Sequence, residues 1–286
     1  MTDYPADLRD DTRVDPTPKI PGCYRSTLSS RWNYKHPSGG VLMSIALRAA
    51  TAELARTGMT GLSLVSATAQ FCQAVLAGEL LSEVRILRIG KTAAQLRVSL
   101  SAQATPGVGL EVLATFVKPI DGPDVHGIEM PAVDLPDEAA ILAARSDTPT
   151  WAFYRNIDSS LAIGAPIWKS DWSAGPAHMA FWYRYRVSQR DDSGIVDPLA
   201  LPPLLDTIPP ALVRKLGPAH ERYIMPSLDL TVFFIEDATT DWLLVETFVE
   251  RARAGYAIGS ANLWASNGRL VARAAQSMTL RQRRLG

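Results

Sequence analysis

Apolar residues recur at helical spacing through residues 41–56, "VLMSIALRAATAELAR", where Leu42, Ile45, Ala46 and Ala49 share one stripe. Arg48, Glu53 and Arg56 fall elsewhere. Ser38 is placed to cap this helix, and Gly58 and Gly61 lie just beyond its end. The small, apolar first turns predict a helix closely surrounded by other structure. Strand-like runs follow: "LSLVSATAQFC", "LLSEVRILRIG", "AQLRVSLSAQ" and "LEVLATFVK", with "IGKTA" joining two of them as a hairpin. The Pro- and Asp-rich passage around 119–148, "PIDGPDVHGIEMPAVDLPDEAA", breaks this pattern and reads as a connection. Beyond it, "MAFWYRYRVS" has the aromatic weight of a strand.

The second half then repeats the first. "VDPLALPPLLD" reads as a helix with Asp197 as its cap and Pro198 at its first position. The runs "SLDLTVFFIE", "DWLLVETFVERA", "GYAIGSANLWAS" and "LVARAAQSMTLR" come next, with "SNG" as the hairpin signal between the last two. "SATAQF" and "SLDLTV" hold corresponding places in the two copies. The predicted organisation is an N-terminal arm (1–22), a first unit (23–118), a connection (119–148) and a second unit (149–286). A helix with an antiparallel sheet curled around it, twice over, is the simplest α+β architecture for these segments.

One alternating run poses a question. In "PSLDLTVFF", Leu228, Leu230, Val232 and Phe234 make an ordinary core row, while Ser227, Asp229, Thr231 and Phe233 make the other. For Asp229 and Thr231 a solvent-facing side is the simpler reading. Ser227 is the candidate for lining a site.

Composition narrows the field without choosing within it. Hydrophobic residues are 47% of 286, charged residues 20%, and the formal net charge is +0, which gives no support to nucleic-acid binding. Two cysteines without Cys/His clustering argue against a disulfide framework or a structural zinc. The acidic, Pro-rich start has no charged-then-apolar signal pattern, so it reads as a flexible or wrapping arm on a cytoplasmic protein without a membrane span. GxSxG, GxGxxG and GxxxxGK[ST] are all missing, which disfavours serine hydrolases, Rossmann folds and P-loops.

"HPSGGVLMSIALRAA" and the C-terminal run "SLDLTVFF…DWLLVETFVERARAGYAIGSANLWASNGRLVARAAQSM" resemble the acyl-CoA thioesterase II family. The resemblance covers roughly residues 30–118 and 175–281 and implies a double hot-dog, each half a curved antiparallel sheet wrapped around a central helix. It further implies hydrolysis of acyl-CoA thioesters to fatty acid and CoA, no cofactor or metal, and a homo-oligomer, at least a dimer. By the same resemblance the polar residues of the site are Asp206, Ser227 and Gln276, with serine where the family often has threonine. The helix entry residues Gly39 and Gly40, with His36 before them, are substrate-binding candidates. The alternative from a different class is a non-catalytic acyl-CoA or acyl-carrier binding protein. Asp121 and His126 have an offset used by some hot-dog hydratases, but they lie in the Gly/Pro connection, where a chance match is the simpler account.

The residues also speak for themselves. Asp206 sits between Leu204–Leu205 and Ile208–Pro209–Pro210, so the prolines end its helix there. Its carboxylate would then meet the negative end of the helix dipole, at a cost of about 0.3–1 kcal/mol, besides a desolvation cost among apolar neighbours. A charge placed against both tendencies is a candidate for chemistry, although a turn-forming surface Asp would fit the same sequence. Gln276 cannot act as a base, but its amide can donate to one group and accept from another, as a water-orienting residue must.

Overall fold

A computed structural model of the chain describes residues 5–18, 20–144, 151–169 and 171–283. Its strands are β1 (Asp15–Pro16), β2 (Cys23–Leu28), β3 (Ser63–Phe71), β4 (Gly78–Ile89), β5 (Ala93–Ala102), β6 (Leu110–Val117) and β7 (Ile157–Ile163). They continue with β8 (His178–Tyr185), β9 (Tyr223–Ile224), β10 (Asp229–Phe234), β11 (Leu243–Arg253), β12 (Tyr256–Ala265), β13 (Leu270–Thr279) and β14 (Arg281–Gln282). Its α-helices are α1 (Leu8–Asp11), α2 (Gly39–Arg56), α3 (Glu138–Ala144), α4 (Leu201–Leu205) and α5 (Pro209–Leu216). The short strands β9 and β14 pair with each other. The other strands form one 12-stranded antiparallel sheet in the order β1-β2-β4-β5-β6-β3-β10-β13-β12-β11-β8-β7.

The helix and strand runs predicted from periodicity are present, and the α+β hot-dog architecture is the observed one. Two features of it differ from the simple expectation. The two curled sheets are one, because the strand closing each half, β3 and β10, pair antiparallel from Asp229↔Gln70 to Phe233↔Ser66. The hydroxyls of Thr68 and Thr231 meet across that seam at 3.0 Å. Thr231 is therefore a joint between halves, not part of a site floor.

The second difference lies in the helices. The first half has an 18-residue helix, α2, laid across β4, β5 and β6 and buried along most of its length. Among its described residues the second half has no such rod. Asp197 caps a 3₁₀ turn over Pro198–Ala200 by accepting from Leu199 N, α4 follows for 5 residues, and α5 starts afresh at Pro209. Prolines explain the break. Pro209 and Pro210 have no N–H to bond back to the carbonyls of Leu205 and Asp206, so α4 cannot continue through them.

The halves are also tied away from the seam. Arg48 of α2 donates to Asp197 Oδ2 (2.6 Å) and, through Nε, to Thr12 Oγ1 of the N-terminal arm (2.6 Å). Residues 5–18 wrap the body: Ala6 and Leu8 are buried, Ala6 N donates to Asn156 Oδ1 at 2.8 Å, and β1 pairs with β2. Strands β2 and β7 escaped the sequence reading, being short and mixed in polarity. The connection is likewise no free tether. Residues 118–137 form no helix or strand, yet Met130 to Asp134 lie against the second half. There Met130 and Val133 pack on a small core of Ala180, Trp182, Leu244 and Trp264, and Trp182 Nε1 donates to Asp134 O (2.9 Å). Asp121 and His126 sit exposed in this passage, apart from the helix starts.

Helices α2 and α4 pass at backbone distance. A Cβ on Gly40 would stand 2.4 Å from Pro202 O and 2.5 Å from Pro203 Cα, both main-chain atoms that cannot swing aside. Gly40→Ala is therefore expected to destabilise the protein by about 1–3 kcal/mol, the usual cost of forced overpacking. Chemical denaturation would read this loss, and a variant as stable as the parent would contradict the close approach.

Candidate active site

The proline break in the second half leaves Asp206 as the residue just past α4, its own N–H still bonded to Pro202 O at 3.0 Å. Its side chain turns to the other half of the molecule. Oδ2 accepts from Gly40 N (3.0 Å) and from Ser38 Oγ (3.3 Å), both at the start of α2. Ser38 does occupy the cap position, but its side chain makes no capping hydrogen bond there. Oδ1 accepts from Gln276 Nε2 at 2.7 Å. Sequence reasoning had set Asp206 against the negative end of α4; the structure sets it also against the positive end of an 18-residue helix.

Gln276 reaches this point from the inner face of β13, 1% exposed. Its neighbour in β12 is Gly259, and a Cβ there would stand 2.5 Å from Ile208 Cγ2, so the residue two beyond Asp206 is seated against the gap. Gln276 Oε1 has no hydrogen-bond partner among the described residues although it is buried. The amide thus spends its donor on Asp206 and keeps its acceptor for something else.

Ser227 answers the question posed by the alternating run. Thr231 pairs with Ala275, but Ser227 pairs with Met278, so four residues of one strand oppose three of the other. That extra residue is a bulge, and it reverses the alternation. Residues directly opposite share a face, so Ser227 joins the buried Met278, and with it Gln276, on the inner side. Leu228 is displaced outward to 41% exposure. Asp229 fastens the bulge from the outside: its Oδ1 accepts from Ser277 N at 2.8 Å, and its Oδ2 from the Ser277 hydroxyl. Among the described residues, no hydrogen bond joins Ser227 to Asp206 or Gln276.

Burial and hydrogen bonding pull the Asp206 carboxyl in opposite directions. Desolvation raises its pKa, while the bonds from Gly40, Gln276, Ser38 and Gly39 lower it. Hydrogen bonds to a charged group are worth about 1.5–3 kcal/mol each, and still burial wins. The result is a carboxyl pushed up from 3.8 to about 6, although part of its surface keeps contact with solvent. The positions sequence reasoning missed are phenols. Tyr34 from the first half meets Tyr154 from the second with ring centroids 5.7 Å apart, and Tyr183 interacts with Tyr154 in turn. Burial raises all of their pKa values, and the charge on Asp206 adds to the rise for Tyr34 and Tyr154. Nothing in their spacing along the chain announces that cluster.

The substrate-binding candidates divide. Gly39 and Gly40 lie in the cluster, but the N–H of Gly40 is given to Asp206 and is not open to a substrate oxygen. His36 is exposed, and its side chain joins none of these hydrogen bonds. No group of three or more His, Cys, Asp or Glu residues able to hold a metal occurs among the described residues.

Comparison with known proteins gives a family. The acyl-CoA thioesterase N-terminal domain matches residues 28–117, and the acyl-CoA thioesterase C-terminal domain matches residues 136–280. No curated protein matches the chain. Among solved structures, the acyl-CoA thioesterase II TesB2 of Mycobacterium marinum superposes with a TM-score of 0.74 at 19% identity, covering 97% of this chain and 99% of that one. A hot-dog protein of unknown function from Alicyclobacillus acidocaldarius gives 0.77 at 18% identity, covering 96% and 98%. The TesB protein of Mycobacterium avium subspecies paratuberculosis gives 0.74 at 16%, also covering 96% and 98%.

A raised pKa means that the folded protein holds the Asp206 proton more tightly than the unfolded chain does. The stability this group contributes is full below pH 3.8 and is lost as pH rises through about 6. In carbon-13 NMR of labelled aspartate, Asp206 is expected to titrate near pH 6. Gln276→Ala should move that midpoint higher, because the amide favours the ionised form. A wild-type midpoint at an ordinary carboxylate value would show the group to be solvated instead.

Proposed function

The chain belongs to the acyl-CoA thioesterase family and is a thioesterase, and from this premise we propose that it hydrolyses acyl-CoA with Asp206 as general base. The observation that carries the reading is the cluster itself. One carboxyl is held between a helix start in the first half and a buried glutamine in the second, and that glutamine still has an acceptor to offer.

Water placed against Asp206 donates one proton toward the carboxylate and the other to Gln276 Oε1. Ser227, on the same inner face as Gln276, supplies a third contact. The water oxygen attacks the thioester carbonyl carbon while its proton passes to Asp206. The tetrahedral intermediate then collapses, the C–S bond breaks, and the CoA thiolate takes the proton back from Asp206. Free acid and CoA leave, and the carboxylate is restored. A base with a pKa of about 6 is ionised at neutral pH yet still basic enough to accept a proton, which is where general-base catalysis is efficient. Negative charge growing on the carbonyl oxygen lies in the field of the α2 N-terminus, where it is stabilised. Gly40 contributes by letting the start of α2 come close to the Asp206 helix without a side chain between them.

Thiol release from a panel of acyl-CoAs tests the reading. Asp206→Asn should lower kcat by on the order of 10²–10⁴-fold, the range for loss of a general base. Gln276→Ala should lose roughly 10²-fold, and Ser227→Ala less, with Ser227→Thr restoring it. In the wild type, log kcat/KM should rise with pH and level off above about 6, since only the ionised carboxylate can accept the proton. Full turnover by Asp206→Asn would end the proposal.

A further inference from the structure

The Oδ2 edge of Asp206, where it meets the start of α2, has an aromatic ring beside it. Phe71 is the last residue of β3, on the inner face after Ala67 and Ala69, and its N–H donates to Leu228 O (2.9 Å) beside the Ser227 bulge. Its ring lies on the start of α2. The point where a Gly39 Cβ would stand is 2.5 Å from Phe71 Cζ, 2.6 Å from Phe71 Cε1 and 3.2 Å from Asp206 Oδ2. Ring, helix start and carboxylate therefore meet around a volume no larger than one methyl group. Phe71 is also only partly buried, so it borders both solvent and the site.

This arrangement has a consequence for any thioester that reaches the site. The carbonyl carbon must come within contact of a water held by Asp206 and Gln276. A thioester bound with its acyl chain toward the end of β3 would carry the carbons next to it past the place where Phe71 touches Gly39. An unbranched methylene chain is thin enough to slide along a ring face. A branch or an aromatic ring at the α carbon is not, unless Phe71 turns away.

We propose that Phe71 is a specificity-determining residue that makes this thioesterase favour acyl groups unbranched at the α carbon. The inference rests on the hydrolase reading above, in that it takes the thioester to be bound beside Asp206. Phe71 touches no reacting atom, so it governs which acyl group fits and not the chemistry. With the ring gone, branched and aromatic acyl groups enter; with a larger ring, the selection tightens.

The test compares kcat/KM for butyryl-CoA with that for isobutyryl-CoA and benzoyl-CoA in the wild type and in Phe71→Leu, Phe71→Ala and Phe71→Trp. The wild type should prefer butyryl-CoA. Phe71→Ala should shift the ratio toward the bulky substrates by about tenfold or more, the scale set by one or two misfitting carbons in an apolar pocket, with Phe71→Leu between. Phe71→Trp should shift it the other way. The leucine variant keeps an apolar side chain at the seam, so the test survives if alanine unfolds the protein. Calorimetric binding of the same three acyl-CoAs to each Phe71 variant gives a second readout that needs no turnover. A wild type that binds selectively but releases no thiol would overturn the hydrolase reading and leave this one supported. Selectivity unchanged within twofold across the variants, in both readouts, would overturn the role of Phe71 alone.

Discussion

A buried carboxylate survives in this fold because two glycines let a helix start reach it. Asp206 has lost much of its water, and a lone charge so placed would protonate or distort its surroundings. What holds it is main chain: the first turn of α2 comes near enough for Gly40 N to donate at 3.0 Å, and only a residue without Cβ fits against the Pro202–Pro203 backbone there. The proline break, the Gly40 contact and the position of Gln276 are one arrangement seen from three elements. If the helices moved apart, the carboxylate would lose its donors before it lost its burial.

The same geometry decides the electrostatics. Local sequence puts Asp206 at the wrong end of its own helix, which argues for a displaced charge. That helix, however, is only 5 residues long, and the one facing it from the other half has 18. The longer helix brings main-chain donors to the carboxyl from the two glycines at its tip. Even so, desolvation exceeds the sum of the donors, and the carboxyl is left poised near neutrality instead of fully acidic. That compromise between the opposed effects is what the general-base proposal for Asp206 draws on.

How much of this was legible in the sequence depends on what each residue's neighbours in the chain could report. Helix α2 was plain, because its pattern is local and its ends carry Ser38 and Gly58. The repeat was plain for the same reason. Asp206, Ser227 and Gln276 could be picked out only through family resemblance together with their odd chemical settings. Their mutual geometry could not be read, since it depends on contacts spanning up to 168 positions, as between Ser38 and Asp206. The bulge at Ser227 shows the limit clearly. Strict alternation groups Ser227 with Asp229 and Thr231, and a single extra residue sends it to the opposite face. The tyrosine cluster and the merging of two sheets into one were hidden likewise, being products of docking between halves.

The seam between β3 and β10 joins two copies that no longer do the same thing. One has kept an uninterrupted rod; the other has broken its counterpart and put an acid at the fracture. In an assembly of two identical single units, every substitution appears twice, so a helix could not be both intact and broken. Fusion into one polypeptide removes that symmetry requirement. It lets one half act as the source of the electric field and the other as the bearer of the ionisable group, leaving one asymmetric centre where a two-fold pair of identical units would carry two.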